Sequence, residues 1–324
     1  MRPEKIFALI KDKLTQTEKE ISSELVSDIP VVREMGAYIT ESGGKRIRPA
    51  LLSLSGLACG YRGNKDIRYG VVFEFVHTAT LIHDDIIDEA ELRRGRRVMH
   101  DIYGTTISIL FGDYLYNTAM EMALRDDDLR VIRLICRATN RMIEGEIVQE
   151  KRNYIVELSI DDYMDLITRK TADLFSSCAL AGAILADAGE EVETAMAGYG
   201  LNLGIAFQII DDYFDYSATR ERIGKPVGSD LNEGKITYPL LVLFERAGRE
   251  AIEIVEGAFA RRNVNGGELQ RLIEMMREHK ALEETIEVAR LYAEKARESL
   301  EPLPPSEYRD ALFELPRYVV ERTK

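Results

Sequence analysis

Hydrophobic residues recur along most of the chain at the three- and four-residue spacing of an amphipathic helix. Leu51, Leu54 and Leu57, for example, follow one helical face. Sustained alternation of apolar and polar residues, the pattern typical of a half-buried strand, is not found. No proline occurs between Pro49 and Pro226, and proline breaks the interior of a helix. The pattern therefore predicts an all-α fold made of long helices.

Composition and charge narrow the class of protein further. The chain has 324 residues, of which 45% are hydrophobic and 31% are charged, so it has enough apolar material for a core. No Gly-, Ser- or Pro-rich linker divides it, and residues 1–324 are predicted to form a single domain. A net charge of −13 argues against binding nucleic acid. Because no apolar run approaches the roughly 18 residues of a membrane span, and no signal-peptide core is found, we expect a cytoplasmic protein without an integral membrane segment.

The acidic pattern DDxxD occurs three times, and its context separates the copies. The middle copy consists of Asp161, Asp162 and Asp165, and it follows Ser159, a residue type that caps helices. Carboxylates in a first helical turn accept hydrogen bonds from free backbone amides and interact favourably with the helix dipole. This copy is therefore predicted to stabilise the N-terminus of a helix.

The other two copies each follow an apolar helical run without a capping residue, so their acids continue a helix. They are Asp84, Asp85 and Asp88 in the first copy and Asp211, Asp212 and Asp215 in the third. Residues four positions apart share a helix face, so each copy can present two carboxylates to one cation. Mg²⁺ prefers such oxygen ligands, above all where substrate phosphates complete its coordination shell. For either copy taken alone, a solvated acidic face is the alternative.

Basic residues cluster around these acidic copies in an otherwise acidic chain. The cations in question are Lys45, Arg48, Arg93, Arg94, Lys170, Lys225 and Lys235. The arginine fork matches phosphate oxygens, and acids followed repeatedly by basic loops predict Mg²⁺-bridged diphosphate groups. His77 lies about two turns before Asp84, on roughly the same helix face. It is predicted either to bind a ligand or to be a hydrogen-bonded core residue.

Six segments together resemble the trans-isoprenyl diphosphate synthase family, whose members are also called polyprenyl synthetases. They are GGKRIRP, EFVHTATLIHDDIIDEAELRRG, FGDYL, EGEIVQ, RKTADLF and GIAFQIIDDYFDYSATRERIGKPVGSDLNEGKITYPLL. They run in family order from about Gly43 to Leu241. The resemblance implies an isoprenoid synthase fold, which is a single large helical bundle with a deep central cavity, and a homodimer.

The same resemblance implies Mg²⁺-dependent, head-to-tail (1'-4) condensation of isopentenyl diphosphate with an allylic diphosphate such as farnesyl or geranyl diphosphate. The metal contacts that it implies are Asp84, Asp88 and Asp211, supported by Asp85, Asp212 and Asp215. The residues implied for the allylic diphosphate are Arg93, Lys170, Lys225 and Lys235. Those implied for isopentenyl diphosphate are Lys45, Arg48, His77 and Arg94. Thr171 and Gln208 are implied to stabilise the allylic cation.

Product length depends, in this family, on a tunnel beside the helix that carries the first acidic copy. A bulky aromatic residue five positions before the first Asp blocks the tunnel, but here that position is Ala79, next to Thr80. The resemblance is therefore to the synthases that make long, octaprenyl-like chains for quinones. Val76 and Phe73, or side chains from the helix that contains Met142, Ile143 and Ile147, could form the tunnel floor. A short-chain farnesyl or geranylgeranyl diphosphate synthase is the alternative.

Four other classes of protein share part of this pattern. Class I terpene cyclases and head-to-head squalene or phytoene synthases have no need for an isopentenyl site, which Lys45, Arg48 and His77 predict here. A metal-dependent phosphohydrolase would use several histidine ligands, but the chain has 4 His with poor spacing. A non-catalytic partner subunit of a two-component synthase is expected to lose its acidic motifs. Both motifs are intact in this chain.

Overall fold

The computed structural model describes residues 3–93, 95–126, 128–217 and 227–321. Most of these residues are helical, which confirms the all-α prediction. In chain order the helices are α1 (Pro3–Ala8), α2 (Lys11–Glu24), α3 (Pro30–Ser42), α4 (Ile47–Ala58), α5 (Lys65–Ile87), α6 (Met99–Tyr103), α7 (Thr105–Leu124), α8 (Leu129–Arg152), α9 (Ile160–Ile167), α10 (Asp173–Leu185), α11 (Glu190–Ser217), α12 (Ser229–Asn232), α13 (Tyr238–Ala247), α14 (Arg249–Ala260), α15 (Gly266–Glu278), α16 (Ala281–Glu298) and α17 (Glu307–Glu321). A π-helical turn, Thr168–Ala172, lies between α9 and α10.

The chain divides into two compact units, and the first consists of residues 1–139, 174–200 and 297–315. In this unit α5 packs against α2, α4 and α7. Tyr69 and Phe73 on α5 are completely buried, because this helix is apolar on most of its faces and runs through the core. Even so, none of the helices in the described ranges is long and apolar enough to cross a membrane.

The second unit consists of residues 140–173, 201–296 and 316–324 and has its own core. Tyr163, Ile209 and Leu241 are buried in that core, and α13, α14 and α15 pack against one another. The organisation of residues 1–324 as a single domain stays a prediction.

The start of α9 shows what the middle acidic copy does. The backbone nitrogen of Asp162 donates to Ser159 Oγ at 3.0 Å. The backbone nitrogen of Ser159 donates in return to Asp162 Oδ2 at 3.3 Å. This reciprocal pair is a capping box, which satisfies two backbone amides that a helix start leaves open. The predicted role of this copy in stabilising a helix N-terminus is confirmed.

A short antiparallel hairpin follows α5. Strand β1 (Leu92–Arg93) pairs with strand β2 (Arg96–Arg97). Gly95 has a φ of +76°, a left-handed conformation that glycine adopts without steric strain. No sequence signal predicted this hairpin, since strands of two residues are too short to alternate and the turn is neither Asn-Gly nor Asp-Gly.

Gly182 on α10 allows that helix to approach α4 closely. A Cβ atom built on Gly182 would lie 2.6 Å from the backbone nitrogen of Gly56 and 2.6 Å from the carbonyl oxygen of Leu52. Both distances are too short for a carbon atom, and both partners are backbone atoms that cannot rotate away. Only glycine therefore fits at this contact.

Replacing Gly182 by alanine is expected to lower the free energy of unfolding by about 1–3 kcal/mol, because the added methyl group must separate two packed helices. Gly198→Ala on α11 is the matched control, since its Cβ would meet only Ser299 Oγ, at 3.5 Å. Alanine is the better helix former by about 0.5–1 kcal/mol, so this control should be as stable as the parent or more stable. Urea denaturation followed by circular dichroism measures both. Equal stabilities for the two variants would contradict the close approach.

Candidate active site

The first acidic copy lies at the C-terminal end of α5, as predicted for acids that continue a helix. Asp84 and Asp85 are in its last turn, and Asp88 is the residue that ends it. Asp84 and Asp88 are half-buried and lie on the same side of the helix end. Because the carboxyl end of a helix carries partial negative charge, these acids destabilise it unless positive charge compensates them. The arrangement suits a bound cation.

Asp85, the second acid of this copy, forms an ion pair with Arg93 on β1. Arg93 Nε donates to Asp85 Oδ1 at 2.7 Å and to Oδ2 at 2.9 Å, and Arg93 Nη2 lies 2.6 Å from Oδ1. The carboxylate is buried, whereas about a third of the Arg93 side chain is exposed (32%). The hairpin thus returns Arg93 to the end of α5, and Asp85 fixes the orientation of its guanidinium.

The residues predicted for isopentenyl diphosphate also belong to the first unit. Lys45 is exposed, and Arg48 and His77 are half-buried. The Arg48 guanidinium lies 5.1 Å from the centre of the Phe175 ring, a cation–π contact that supports the side chain from one side. His77 lies on α5, two turns before the acidic end, as predicted. Arg94 lies outside the described residues.

The third acidic copy lies in the last two turns of α11, again near the carboxyl end of a long helix. Asp211 is exposed, whereas Asp215 is buried. Asp215 Oδ1 accepts hydrogen bonds from the Oγ and the backbone nitrogen of Ser229, at 2.9 and 3.1 Å. Its Oδ2 accepts from the backbone nitrogen of Asp230 at 3.3 Å. Asp215 therefore holds the start of α12.

Asp212 is buried at one end of a chain of hydrogen bonds. Tyr163 Oη donates to Asp212 Oδ2 at 2.6 Å, and Gln208 Nε2 donates to Oδ1 at 2.9 Å. Thr171 Oγ1 in turn donates to Gln208 Oε1 at 2.9 Å. Thr171 and Gln208, both predicted to stabilise a cation, are thus hydrogen-bonded to each other.

Burial raises the pKa of Asp212 to about 7, and the nearby charge of Asp230 adds to the effect. The hydrogen bonds from Tyr163 and Gln208 oppose it, since both stabilise the ionised carboxylate. Burial is the largest cause of the raised pKa, because the carboxyl group is removed from water.

Lys170 lies on the π-helical turn, a type of element that is common at functional sites. Its Nζ lies 2.6 Å from Glu146 Oε2 and donates to Gln149 Oε1 at 3.1 Å. Neither partner was among the predicted site residues, although both belong to the segment EGEIVQ. Their three-residue spacing, which places them on one face of α8, is the signal that could have identified them.

The remaining predicted lysines differ in what the structure shows of them. Lys235 Nζ lies 2.6 Å from Glu233 Oε2. Lys225 lies outside the described residues. Of the two lysines in the basic segment after the third acidic copy, Lys235 is therefore the one whose position the structure shows.

A cavity of about 120 Å³ in the second unit gathers several of these groups. Lys170, Asp212 and Lys235 line it, together with the polar pair Thr171 and Gln208. Gln149 also lines the cavity, and its buried Nε2 has no hydrogen-bond partner among the described residues. A polar space with ammonium groups and an unused amide donor fits phosphate oxygens.

Two of the residues predicted to set product length lie in the core of the first unit, and a third, Thr80, is half-buried. Ala79 and Val76 are buried, at 3% and 1% exposure. Thr80 Oγ1 donates to the carbonyl oxygen of His77 at 2.8 Å, so its hydroxyl is satisfied within α5. On α8, half of Ile143 is exposed (50%). Met142 on the same helix is buried, at 6% exposure, so both predicted floor positions contain a buried side chain.

The sequence profile of the polyprenyl synthetase family matches residues 29–276. The chain is 36% identical over 325 residues to an octaprenyl diphosphate synthase of Haemophilus influenzae, covering 99% of this chain and 98% of that protein. It is 37% identical over 324 residues to an octaprenyl diphosphate synthase of Escherichia coli, covering 100% of both.

Solved structures give the same result for the fold. A polyprenyl synthase of Caulobacter crescentus, crystallised with calcium and isoprenyl diphosphate, superposes with a TM-score of 0.94 at 34% identity and covers 99% of this chain and 98% of its own. A decaprenyl diphosphate synthase of Rhodobacter capsulatus gives a TM-score of 0.93 at 32% identity, covering 99% of each chain. The fold class implied by the sequence motifs is confirmed.

The raised pKa of Asp212 predicts a pH dependence of stability in the absence of bound cations. The folded chain holds this proton at higher pH than the unfolded chain, in which the pKa is near 3.8 instead of about 7. The free energy of unfolding should therefore fall as pH rises through this interval, by at most about 1.4 kcal/mol per pH unit from this group. Asp212→Asn removes the titration and should flatten the slope. Denaturation in the presence of a chelator measures both proteins, and identical slopes would contradict the assignment.

Proposed function

Because the chain belongs to the polyprenyl synthetase family, we propose that it condenses isopentenyl diphosphate head-to-tail with an allylic diphosphate to form an all-trans polyprenyl diphosphate. The bond from C1 of the allylic substrate to its diphosphate breaks, and C4 of isopentenyl diphosphate bonds to that carbon. Inorganic diphosphate leaves, and the proton lost from isopentenyl diphosphate passes to it. The octaprenyl synthases among the relatives, together with Ala79, favour a long, octaprenyl-like product.

The observation that carries this proposal is the position of two acidic copies at the carboxyl ends of long helices. Asp84, Asp88 and Asp211 offer only hard oxygen donors, which fit a divalent cation, and we propose Mg²⁺. Bound Mg²⁺ neutralises charge that develops on the departing diphosphate. Asp84 and Asp88 at the end of α5, and Asp211 near the end of α11, would each bind the cation at a helix end that carries partial negative charge.

Cations of the chain bind the diphosphates in this proposal. Arg93 is oriented by Asp85 and Lys170 by Glu146, so both reach the allylic diphosphate with little loss of side-chain freedom. The other residues proposed for the allylic diphosphate are Lys225 and Lys235. Those proposed for isopentenyl diphosphate are Lys45, Arg48, His77 and Arg94.

The hydrogen bond between Thr171 and Gln208 supports their proposed role beside the allylic cation. Since Thr171 donates its hydroxyl proton to Gln208, the lone pairs of its oxygen stay available to a positive charge. Asp212 holds the amide nitrogen of Gln208, which turns the amide oxygen towards Thr171. We assign Asp212 mainly to positioning Gln208, and Asp215 mainly to holding the backbone of α12. Support of the metal is a secondary role of both residues.

A homodimer is part of the proposal. Ile107 and Leu110 on α7 are 40% and 59% exposed and lie one turn apart, and Ile102 on α6 is also exposed. A second copy covering these apolar side chains would remove them from water. Action in the cytoplasm stays a prediction.

The decisive experiment incubates the purified chain with Mg²⁺, labelled isopentenyl diphosphate and farnesyl diphosphate, and sizes the dephosphorylated products by chromatography. We expect products well beyond geranylgeranyl. A product that stops at geranylgeranyl would support the short-chain alternative. No incorporation with any allylic primer would support a partner-dependent subunit instead.

The variant that tests the control of product length is Ala79→Phe. A phenyl ring at a position that is now 3% exposed should block elongation and shorten the product, while the first condensation continues. Unchanged product length in this variant would contradict a tunnel beside α5.

Substitution of the acids tests how the three copies differ. Asp84→Ala or Asp211→Ala should each lower the rate of condensation more than about 100-fold, because the charge on the departing diphosphate loses its stabilisation. Asp161→Ala is the matched control, and at a helix start it should cost at most about 1 kcal/mol of stability. Steady-state kinetics and urea denaturation measure these effects. Similar losses of activity at all three positions would contradict the separation of the copies.

A further inference from the structure

Arg46 differs from the other cations of the segment GGKRIRP in being buried. It is 8% exposed, whereas Lys45 before it is exposed and Arg48 after it is half-buried. Arginine is seldom buried in a protein unless acidic partners surround it. The sequence motifs gave Lys45 and Arg48 roles in substrate binding, but none to Arg46.

The guanidinium of Arg46 connects two helices of the first unit. Its Nη1 donates to Glu74 Oε1 on α5 at 2.8 Å. Its Nε and Nη2 donate to the two carboxylate oxygens of Glu18 on α2, at 2.5 and 3.1 Å. Because every guanidinium nitrogen is engaged, the side chain holds the protein together at this point instead of facing a substrate.

The backbone of Arg46 is also unusual. It has a φ of +47° and a ψ of +39°, the left-handed region, directly before α4 begins. This conformation is costly for a residue that has a Cβ atom, so it persists only where the surroundings enforce it. At Arg46 the two ion pairs hold the side chain of this residue in place. The left-handed residue turns the chain so that Lys45 stays exposed while Arg46 points inward.

Glu74, the anchor of Arg46 on α5, lies on the same helix as other residues of the proposed site. Glu74 is one turn before His77 and ten residues before Asp84, which corresponds to about 15 Å along the helix. Glu18, Arg46 and Glu74 therefore tie the loop that bears Lys45, and the first turn of α4 that bears Arg48, to the helix that bears His77. Movement of the loop would change the spacing between these cations.

We propose that Arg46 is a positioning residue for isopentenyl diphosphate, acting through its ion pairs with Glu74 and Glu18. The inference rests on the proposed function, since it assigns a determinant of affinity for one of the two substrates. It concerns the isopentenyl site and leaves the allylic site unaffected.

The test is the double variant Arg46→Gln with Glu74→Gln, which removes both charges of the buried pair. The charge that loses its partner is then that of Glu18, whose side chain is 44% exposed. The KM for isopentenyl diphosphate should rise about tenfold, as expected for displaced binding groups, while kcat and the KM for the allylic substrate change less than about twofold. Amide hydrogen exchange of residues 43–48 should become faster. Glu18→Gln, at the partner that is only half-buried, should give the same changes to a smaller extent.

Arg68→Gln is the matched control, because Arg68 also bridges α5 to α2, through Glu20, and to Asp126. It should leave the KM for isopentenyl diphosphate unchanged. An unchanged KM in the double variant, or in Glu18→Gln if the double variant does not fold, would overturn the proposal. So would a rise in both KM values that Arg68→Gln reproduces, since that would show a general structural effect. An inactive parent chain would instead contradict the proposed function, while the exchange measurement would still test the anchoring of the loop.

Discussion

Negative charge at the carboxyl ends of two long helices is the constraint around which much of this structure is arranged. A carboxylate in such a position costs up to about 1 kcal/mol against the helix dipole, and neighbouring carboxylates repel one another. In both copies the second acid, Asp85 or Asp212, is buried and held by donors of the protein. The first acid, Asp84 or Asp211, remains at least partly accessible. The pattern DDxxD therefore contains two kinds of acid, one that stays accessible and one that is hydrogen-bonded to the rest of the protein.

The middle copy shows that the role of a DDxxD pattern depends on whether it lies at the start or at the end of a helix. Asp161 and Asp162 lie in a first helical turn, where the same charges are favourable and one of them closes a capping box. The difference could be predicted from the sequence, because Ser159 signals a helix start and the apolar runs before the other copies signal a helix already under way. Local signals of this kind act over a few residues and need no knowledge of tertiary structure.

The partners of the buried acids could not be predicted in the same way. Tyr163 and Asp212 are far apart in the chain, and their hydrogen bond exists only because α9 and the part of α11 that follows residue 200 belong to one folded unit. The ion pair between Asp85 and Arg93 depends on a hairpin with strands too short to leave a periodic signal. The inward turn of Arg46 depends on a left-handed backbone, which its residue type disfavours. Family motifs thus located the segments, whereas tertiary packing decided which residue of each segment faces inward.

Helix α5 explains why these features are linked. It carries the anchor Glu74, His77, the predicted tunnel position Ala79 and the acidic end at Asp84, all within three turns. Since a helix rises about 1.5 Å per residue, a slide of α5 by one residue would displace all four together. Packing of α5 against three neighbouring helices opposes such a slide. In the proposed function, a single side chain such as Ala79 on this fixed helix would therefore alter product length without displacing His77 or Asp84.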